Sequence, residues 1–374
     1  MIGELYVASE PRRFLENLQI SKKTGPESKT LSISQIEEKL DDVLRIKGDE
    51  GLNILRDKAK ELSMLLEMQK EFELLNKIIS ALFSSSPSNI LKTDLALSRS
   101  VGLPYDRHRI ELFEILFNYL HNKVFQDNLE NNLSPNSFRN FSFFEAYFSN
   151  YIEGTVFEVS EAKEIVDSGI PLPERSSDSH DVLGTYRLVS DKNEMKIIPK
   201  DGNELLQILQ LRHKILLSAR SDKNPGEFKV NNNRAGETHF VDFKLVRGTL
   251  IRGFNFYKML TDPIKRAAYI MFMISEVHPF EDGNGRIARV MMNAELVNRN
   301  QCKIIIPTVY REDYLLTLKK LTRDKDPVSY VEMLIKAHRF SSKLNYEDYD
   351  ELYLYLENHN AFNEPDEGRR LIID

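Results

Sequence analysis

Residues 278–289, HPFEDGNGRIAR, place a histidine, two carboxylates, two glycines and two arginines within one short stretch. Histidine is the only nearby side chain with a reference pKa close to neutrality, so His278 is the candidate general base. Asp282 is a natural Mg²⁺ ligand, because magnesium on nucleotides takes one or two carboxylates together with phosphate oxygens. Arg286 and Arg289 lie three residues apart, which predicts both guanidinium groups on one side of a helical turn. The pattern therefore predicts a base, a metal carboxylate and a cradle for a polyphosphate.

The elements around this block support that interpretation. Pro279 cannot easily continue a helix, so His278 is predicted at a junction between a helix and a loop. Gly283 and Gly285 allow a ligand to approach the backbone closely. Apolar residues at helical spacing then predict a new helix: Ile287, Val290, Met291, Ala294 and Val297. The free amides at its N-terminus carry positive partial charge and suit an anion.

Each feature has an ordinary structural explanation when it is taken alone. A histidine at a helix end usually makes a structural hydrogen bond, a Gly-Asn-Gly sequence is usually a turn, and arginines three residues apart are usually solvated. Their occurrence in one ordered block favours a functional site.

HPFEDGNGRIAR resembles the signature of the Fic family, HPFx(D/E)GNGRxxR, and matches it at every specified position. The similarity extends over roughly residues 144–338. Upstream, Ser149 to Gly154 read SNYIEG, which resembles the (S/T)xxxE(G/N) motif of members whose inhibitory helix precedes the catalytic core. Taken alone, this segment would also fit a plain helix end.

The resemblance implies a protein adenylyltransferase that moves AMP from ATP to a Ser, Thr or Tyr hydroxyl of a target protein or of the chain itself. In that mechanism His278 would deprotonate the hydroxyl and Asp282 would bind Mg²⁺. The residues of the turn that follows would bind the nucleotide: Gly283, Asn284, Gly285, Arg286 and Arg289. Glu153, with Ser149, would inhibit the enzyme by pairing with Arg289.

Two other functions remain open from the sequence. The same site could remove AMP from a modified protein, with Glu153 positioning a water. The chain could also be a non-enzymatic module in which the nucleotide only sets the conformation of a partner-binding lobe.

The fold predicted to hold the site is all-α, a Fic-type helical core with a small β-hairpin flap at Gly226–Phe243 and an N-terminal helical lobe. The predicted regions are an N-terminal helical region (1–140), an inhibitory helix and connection (141–197), the Fic core (198–340) and a C-terminal helical tail (341–374). Residues 51–83 are predicted as one helix and Lys303–Ile306 as a short strand. Ser34 and Glu37 fit a capping box at a helix start.

Composition limits the other function classes. The 374 residues carry a net charge of −6, which gives no support for intrinsic nucleic-acid binding. The single cysteine, Cys302, excludes an internal disulfide framework. No signal peptide is recognised, and the longest apolar run, Ala267–Ile274, is too short for a bilayer. We therefore expect a cytoplasmic protein without membrane partners, and leave a homodimer open.

Overall fold

The computed structural model describes residues 7–21, 28–83 and 88–373, and helices joined by loops dominate them. In chain order the helices are α1 (Glu10–Asn17), α2 (Ile33–Leu65), α3 (Gln69–Leu82), α4 (Asp94–Ser100), α5 (Arg107–His121), α6 (Pro135–Ile152), α7 (Val159–Ser168), α8 (Ser176–Val189), α9 (Lys192–Met195), α10 (Gly202–Leu216), α11 (Val246–Met259), α12 (Pro263–Val277), α13 (Asn284–Asn298), α14 (Arg311–Asp324), α15 (Pro327–Ser341) and α16 (Tyr349–Asn358). Within the described ranges the regular sheet is one antiparallel hairpin, β1 (Arg234–Ala235) and β2 (Thr238–His239). The predicted all-α fold with a small hairpin flap is confirmed.

The chain divides into two compact units, Met1–Tyr105 and Asp106–Asp374. The predicted boundary at residue 140 lies inside the second unit, because α5 packs there against α11 and α12. The predicted boundaries near residues 197 and 340 stay predictions.

The first unit packs α1 to α4 around an aliphatic core that includes Leu40, Leu52 and Leu75. The predicted single helix over 51–83 is wrong, since α2 ends at Leu65 and α3 begins at Gln69. The break is a left-handed turn: Glu67 has φ 54°, and the Met68 N–H reaches back to the Ser63 carbonyl at 2.8 Å. The sequence also predicts that SSSPSN, residues 84–89, ends this helix, and that segment falls largely outside the described residues.

The predicted capping box at the start of α2 lies two residues earlier than expected. Ser32 caps the helix, and its backbone N–H bonds the Gln35 side chain at 2.9 Å. Glu37 is instead buried and accepts hydrogen bonds from the Lys92 and Thr93 amides, both at 2.8 Å. A tertiary contact therefore takes the carboxylate that the local pattern assigned to the cap.

The second unit is built around α12, which is buried on nearly all sides. Asp262 caps its N-terminus and Pro263 occupies the first turn. Among the described helices, α12 and α13 share the most extensive contact, and α5 and α11 also pack on α12. This arrangement places the loop 278–283, which joins α12 to α13, on a rigid base.

An aromatic cluster holds α6 in the same unit. Phe144 and Phe148 of α6 stack on Tyr349 and Phe362, respectively, from the C-terminal part of the chain. Both α6 aromatics are buried. This packing fixes the end of α6, where Glu153 follows.

The predicted strand Lys303–Ile306 is buried but pairs with no other strand among the described residues. Its backbone amides bond to side chains: the Ile304 N–H donates to Asn293 Oδ1 at 2.8 Å and the Ile305 N–H to Ser341 Oγ at 3.0 Å. The prediction of a strand is therefore wrong, because helix side chains replace a neighbouring strand. None of the helices described is long and apolar enough to cross a membrane.

Candidate active site

His278 terminates α12 in a left-handed conformation, with φ 52° and its N–H bonded to the Ile274 carbonyl at 2.9 Å. Its Nδ1 lies 3.2 Å from the Ser275 carbonyl, which can only accept, so Nδ1 carries the proton and Nε2 is left as a base. Burial lowers the pKa of the imidazole to about 4. His278 is therefore neutral at physiological pH and able to accept a proton.

The loop after His278 is held from inside. Phe280 is fully buried. The buried Asn284 side chain closes the loop, accepting from the Phe280 N–H at 2.8 Å and donating to the Phe280 carbonyl at 2.9 Å. The Asn284 side chain is therefore engaged within the loop, and its backbone N–H belongs to the first turn of α13, where helix amides have no intrahelical partner. Gly283 caps α13 with φ 73°, a conformation that favours glycine.

Asp282 sits at the mouth of this loop with 38% of its side chain exposed. Its Oδ1 accepts from the Gly283 N–H at 2.6 Å and lies 3.4 Å from Arg286 Nη2. Burial raises the pKa of Asp282, but the Arg286 guanidinium and the Gly283 N–H lower it by more, so the carboxylate is ionised. An ionised, accessible carboxylate fits the predicted metal ligand.

Arg286 is buried rather than solvated. Its Nη1 pairs with Asp181 Oδ2 of α8 at 2.8 Å and lies 3.3 Å from Asn150 Oδ1 of α6. Its buried Nε has no hydrogen-bond partner within the described part of the chain. An unpartnered buried N–H is costly, so this donor fits an anionic ligand. Sequence reasoning missed Asp181, which no local motif marks.

Arg289 faces α6. Its Nη2 donates to Glu153 Oε1 and to the Ser149 carbonyl, both at 2.7 Å, and its Nε donates to Ser149 Oγ at 3.0 Å. The predicted ion pair between Glu153 and Arg289 is present. The expectation that both guanidinium groups share one side of the turn stays a prediction: Arg286 contacts both α8 and α6, and Arg289 contacts α6.

Glu153 lies on the first turn of α13. A Cβ at Gly285 would come within 2.2 Å of Glu153 Oε1, so a larger residue at 285 would displace this carboxylate from its present position. Burial raises the pKa of Glu153, but Arg289 and Arg286 outweigh it and the net pKa is below the usual range. An ionised carboxylate therefore occupies the place where a helix N-terminus binds anions.

The flap covers the base. Phe240, which follows β2, stacks on the His278 ring with centroids 3.7 Å apart and planes 4° apart. The flap is tied to the loop through Lys229, whose N–H bonds the Pro279 carbonyl at 2.9 Å, and through Asn233, whose Nδ2 bonds the Phe280 carbonyl at 2.9 Å. The contact of Phe240 with the base was not predicted, and only its place in the flap could have suggested it.

Comparison with known proteins assigns the class of this domain. Residues 204–296, from α10 into α13, match the model of the Fic/DOC family. The chain therefore carries a Fic/DOC domain, and the family resemblance of the sequence is confirmed.

Named relatives are similar over the same region. The protein adenylyltransferase fic-1 of Caenorhabditis elegans is 28% identical over 183 residues, which is 47% of this chain and 36% of that protein. The protein adenylyltransferase Fic of Drosophila melanogaster is 28% identical over 185 residues, 47% of this chain and 37% of that protein. The chain thus spans little more than a third of the length of these relatives. A solved structure of a fragment of C. elegans Fic-1 covers 87% of this chain and 99% of its own, at 18% identity and a TM-score of 0.46.

Proposed function

We propose that this protein is an adenylyltransferase that moves AMP from ATP to a Ser, Thr or Tyr hydroxyl of a target protein or of itself, restrained by Glu153. The observation that carries the proposal is that a neutral base lies next to a site suited to an anion. His278 begins the loop that leads into α13, Asp282 accepts from the Gly283 N–H of that loop, and Glu153 lies against Gly285, so all three groups lie at the start of α13. The relatives named protein adenylyltransferases support the same reaction.

In the proposed reaction, His278 Nε2 accepts the proton of the target hydroxyl. The hydroxyl oxygen forms a bond to the α-phosphorus of ATP, the bond from that phosphorus to the bridging oxygen breaks, and pyrophosphate leaves. The first-turn amides of α13 and Arg286 stabilise the charge on the phosphates, which is the main demand of such a transfer.

Asp282 would hold the metal ion. Among the described residues no group of three or more His, Cys, Asp or Glu side chains is arranged to hold one unaided. A single ionised carboxylate fits an ion shared with nucleotide oxygens, as Mg²⁺ prefers. When bound, the ion would neutralise phosphate charge.

Glu153 is proposed to compete with the nucleotide. While it pairs with Arg289, that guanidinium is not free for the γ-phosphate, and its own charge repels the triphosphate. The flap is proposed to receive an extended segment of the target by strand addition, beside Phe240 and the base.

Incubation of the purified protein with ATP labelled at either the α- or the γ-phosphate tests the proposal. Transfer of AMP labels the protein from α-labelled ATP only, and labelling increases when Glu153 is replaced by Gly. Labelling of the purified protein from γ-labelled ATP would contradict it. So would the absence of α-label in Glu153→Gly both on the protein itself and on the proteins of an added cell lysate, compared with the same variant carrying His278→Ala. The second result would favour the non-enzymatic module if that variant still binds ATP.

A further inference from the structure

His213 of α10 is fully buried and makes three contacts with the loop and the flap. Its ring stacks on Phe280 with centroids 3.8 Å apart and planes 3° apart. Its Nδ1 accepts from the Gly226 N–H at 2.9 Å. Its Nε2 lies 3.1 Å from the Asp282 carbonyl.

These partners fix the tautomer of His213. The Gly226 amide can only donate, so Nδ1 is the unprotonated nitrogen and Nε2 carries the proton. The Asp282 carbonyl can only accept, which agrees with that assignment. Because Nδ1 must be unprotonated to accept from the Gly226 N–H, the ring is neutral in this arrangement.

The bond to the Asp282 carbonyl orients the metal ligand. In a trans peptide the C=O and the following N–H point in opposite directions. With the carbonyl directed at His213, the Gly283 N–H is directed away from it, where it holds Asp282 Oδ1 at 2.6 Å. The direction of this peptide therefore sets the position of the carboxylate.

The bond to Gly226 fixes the start of the flap. Gly226 has φ 86°, and a Cβ there would lie 3.1 Å from both the Gln210 carbonyl and Lys214 Cβ. The Gly226 carbonyl is held separately by Gln210 Nε2 at 2.9 Å. Both polar groups of the Gly226 backbone are thus attached to α10.

We propose that His213 is a positioning residue. Its two ring nitrogens hold Asp282 and the start of the flap in a fixed position relative to each other. The inference rests on the proposed function in naming Asp282 as the metal ligand and the flap as the place where a target binds. It couples the place where a target would bind to the place where the metal would bind.

Two substitutions separate the two bonds. In His213→Asn, the amide oxygen can take the place of Nδ1, so the bond to Gly226 is kept and the bond to Asp282 is lost. In His213→Gln, the amide nitrogen can take the place of Nε2, so the bond to Asp282 is kept and the bond to Gly226 is lost. Gln210→Leu, on the same helix, removes the other Gly226 bond and leaves Asp282 untouched.

Neither of the two readouts needs AMP transfer. The first is calorimetric binding of an α,β-non-hydrolysable ATP analogue at varied Mg²⁺ in the Glu153→Gly background, and the second is hydrogen exchange of the flap peptide 226–243. His213→Asn should raise the Mg²⁺ needed for half-maximal binding by roughly three- to tenfold, the value of one hydrogen bond, with flap exchange unchanged. His213→Gln and Gln210→Leu should speed flap exchange by a similar factor and leave the Mg²⁺ dependence unchanged.

A purely structural role for His213 would give a different pattern. A general loss of packing would move both readouts together in both His213 variants and lower the melting temperature. That outcome, or no change in either readout, would overturn the proposal. Failure of the proposed function would instead appear as absent labelling in Glu153→Gly with His213 intact.

Discussion

Replacing Glu153 with Gly should increase labelling with AMP, because it frees a guanidinium that is otherwise occupied. The substitution removes the ion pair to Arg289 at 2.7 Å and the carboxylate that lies on Gly285. Arg289 keeps its two bonds to Ser149, at 2.7 and 3.0 Å, so it stays in place for a phosphate.

The size of the effect follows from the geometry of that pair. A hydrogen bond between charged groups contributes about 1.5–3 kcal/mol. The Glu153 side chain is 32% exposed and that of Arg289 only 6%, so solvent screening reduces the contribution to about 1–2 kcal/mol. If the pair must open before the γ-phosphate binds, its removal strengthens productive ATP binding by roughly 5- to 30-fold.

The assay is initial-rate labelling with α-labelled ATP below saturation. Glu153→Gln should give a smaller increase, because the amide oxygen can still accept from Arg289 without the negative charge. Glu164→Gln, on the exposed side of α7, removes an equal charge and should behave as wild type.

Equal or lower labelling in a folded Glu153→Gly variant would refute autoinhibition by this residue. If the variant instead fails to remove AMP from a modified substrate that the wild type clears, the reverse reaction becomes the better description of the site.

The remaining predictions concern the base and the metal ligand, tested in the Glu153→Gly background. His278→Ala should lower AMP transfer by ~10²–10⁴-fold and leave binding of an ATP analogue nearly unchanged, since the phosphates are held by α13. Wild-type rates at saturating ATP would show that His278 is not the general base. Asp282→Ala should raise the Mg²⁺ concentration needed for half-maximal transfer, and an unchanged magnesium titration would exclude Asp282 as a ligand. In the wild-type protein, the His278 ring should stay neutral as the pH falls through 6.5 and take up a proton only near its pKa of about 4, as followed by NMR. Phe240→Ala should raise that pKa towards 6.5, because burial is the main cause of its depression; a wild-type midpoint near 6.5 would contradict this account.

Sequence alone predicted those parts of the candidate site whose residues are neighbours along the chain. The block 278–289 places the base, the carboxylate and the helix start within twelve consecutive residues, so local geometry brings them together. The φ 73° that caps α13 at Gly283 follows from its residue type. The pairing of Glu153 with Arg289 was also anticipated, but only through the resemblance of SNYIEG to a family motif.

Local patterns failed where a distant residue competes for the same group. Ser32-Ile33-Ser34-Gln35 and Ser34-Gln35-Ile36-Glu37 both fit a capping box, and the choice falls on Ser32 because Glu37 is needed by the amides of Lys92 and Thr93. Lys303–Ile306 has the composition of a strand, but Asn293 and Ser341 satisfy its backbone.

Distant partners also explain why some residues of the candidate site were identified only from the tertiary structure. Asp181 meets Arg286, and His213 meets Asp282, across separations along the chain that no local spacing rule covers. On α13, Arg286 meets a carboxylate of α8, and Arg289 meets Glu153, which follows α6. The sequence determined which chemical groups the site contains. Packing of α6, α8 and α10 around α13 decided which of them are paired.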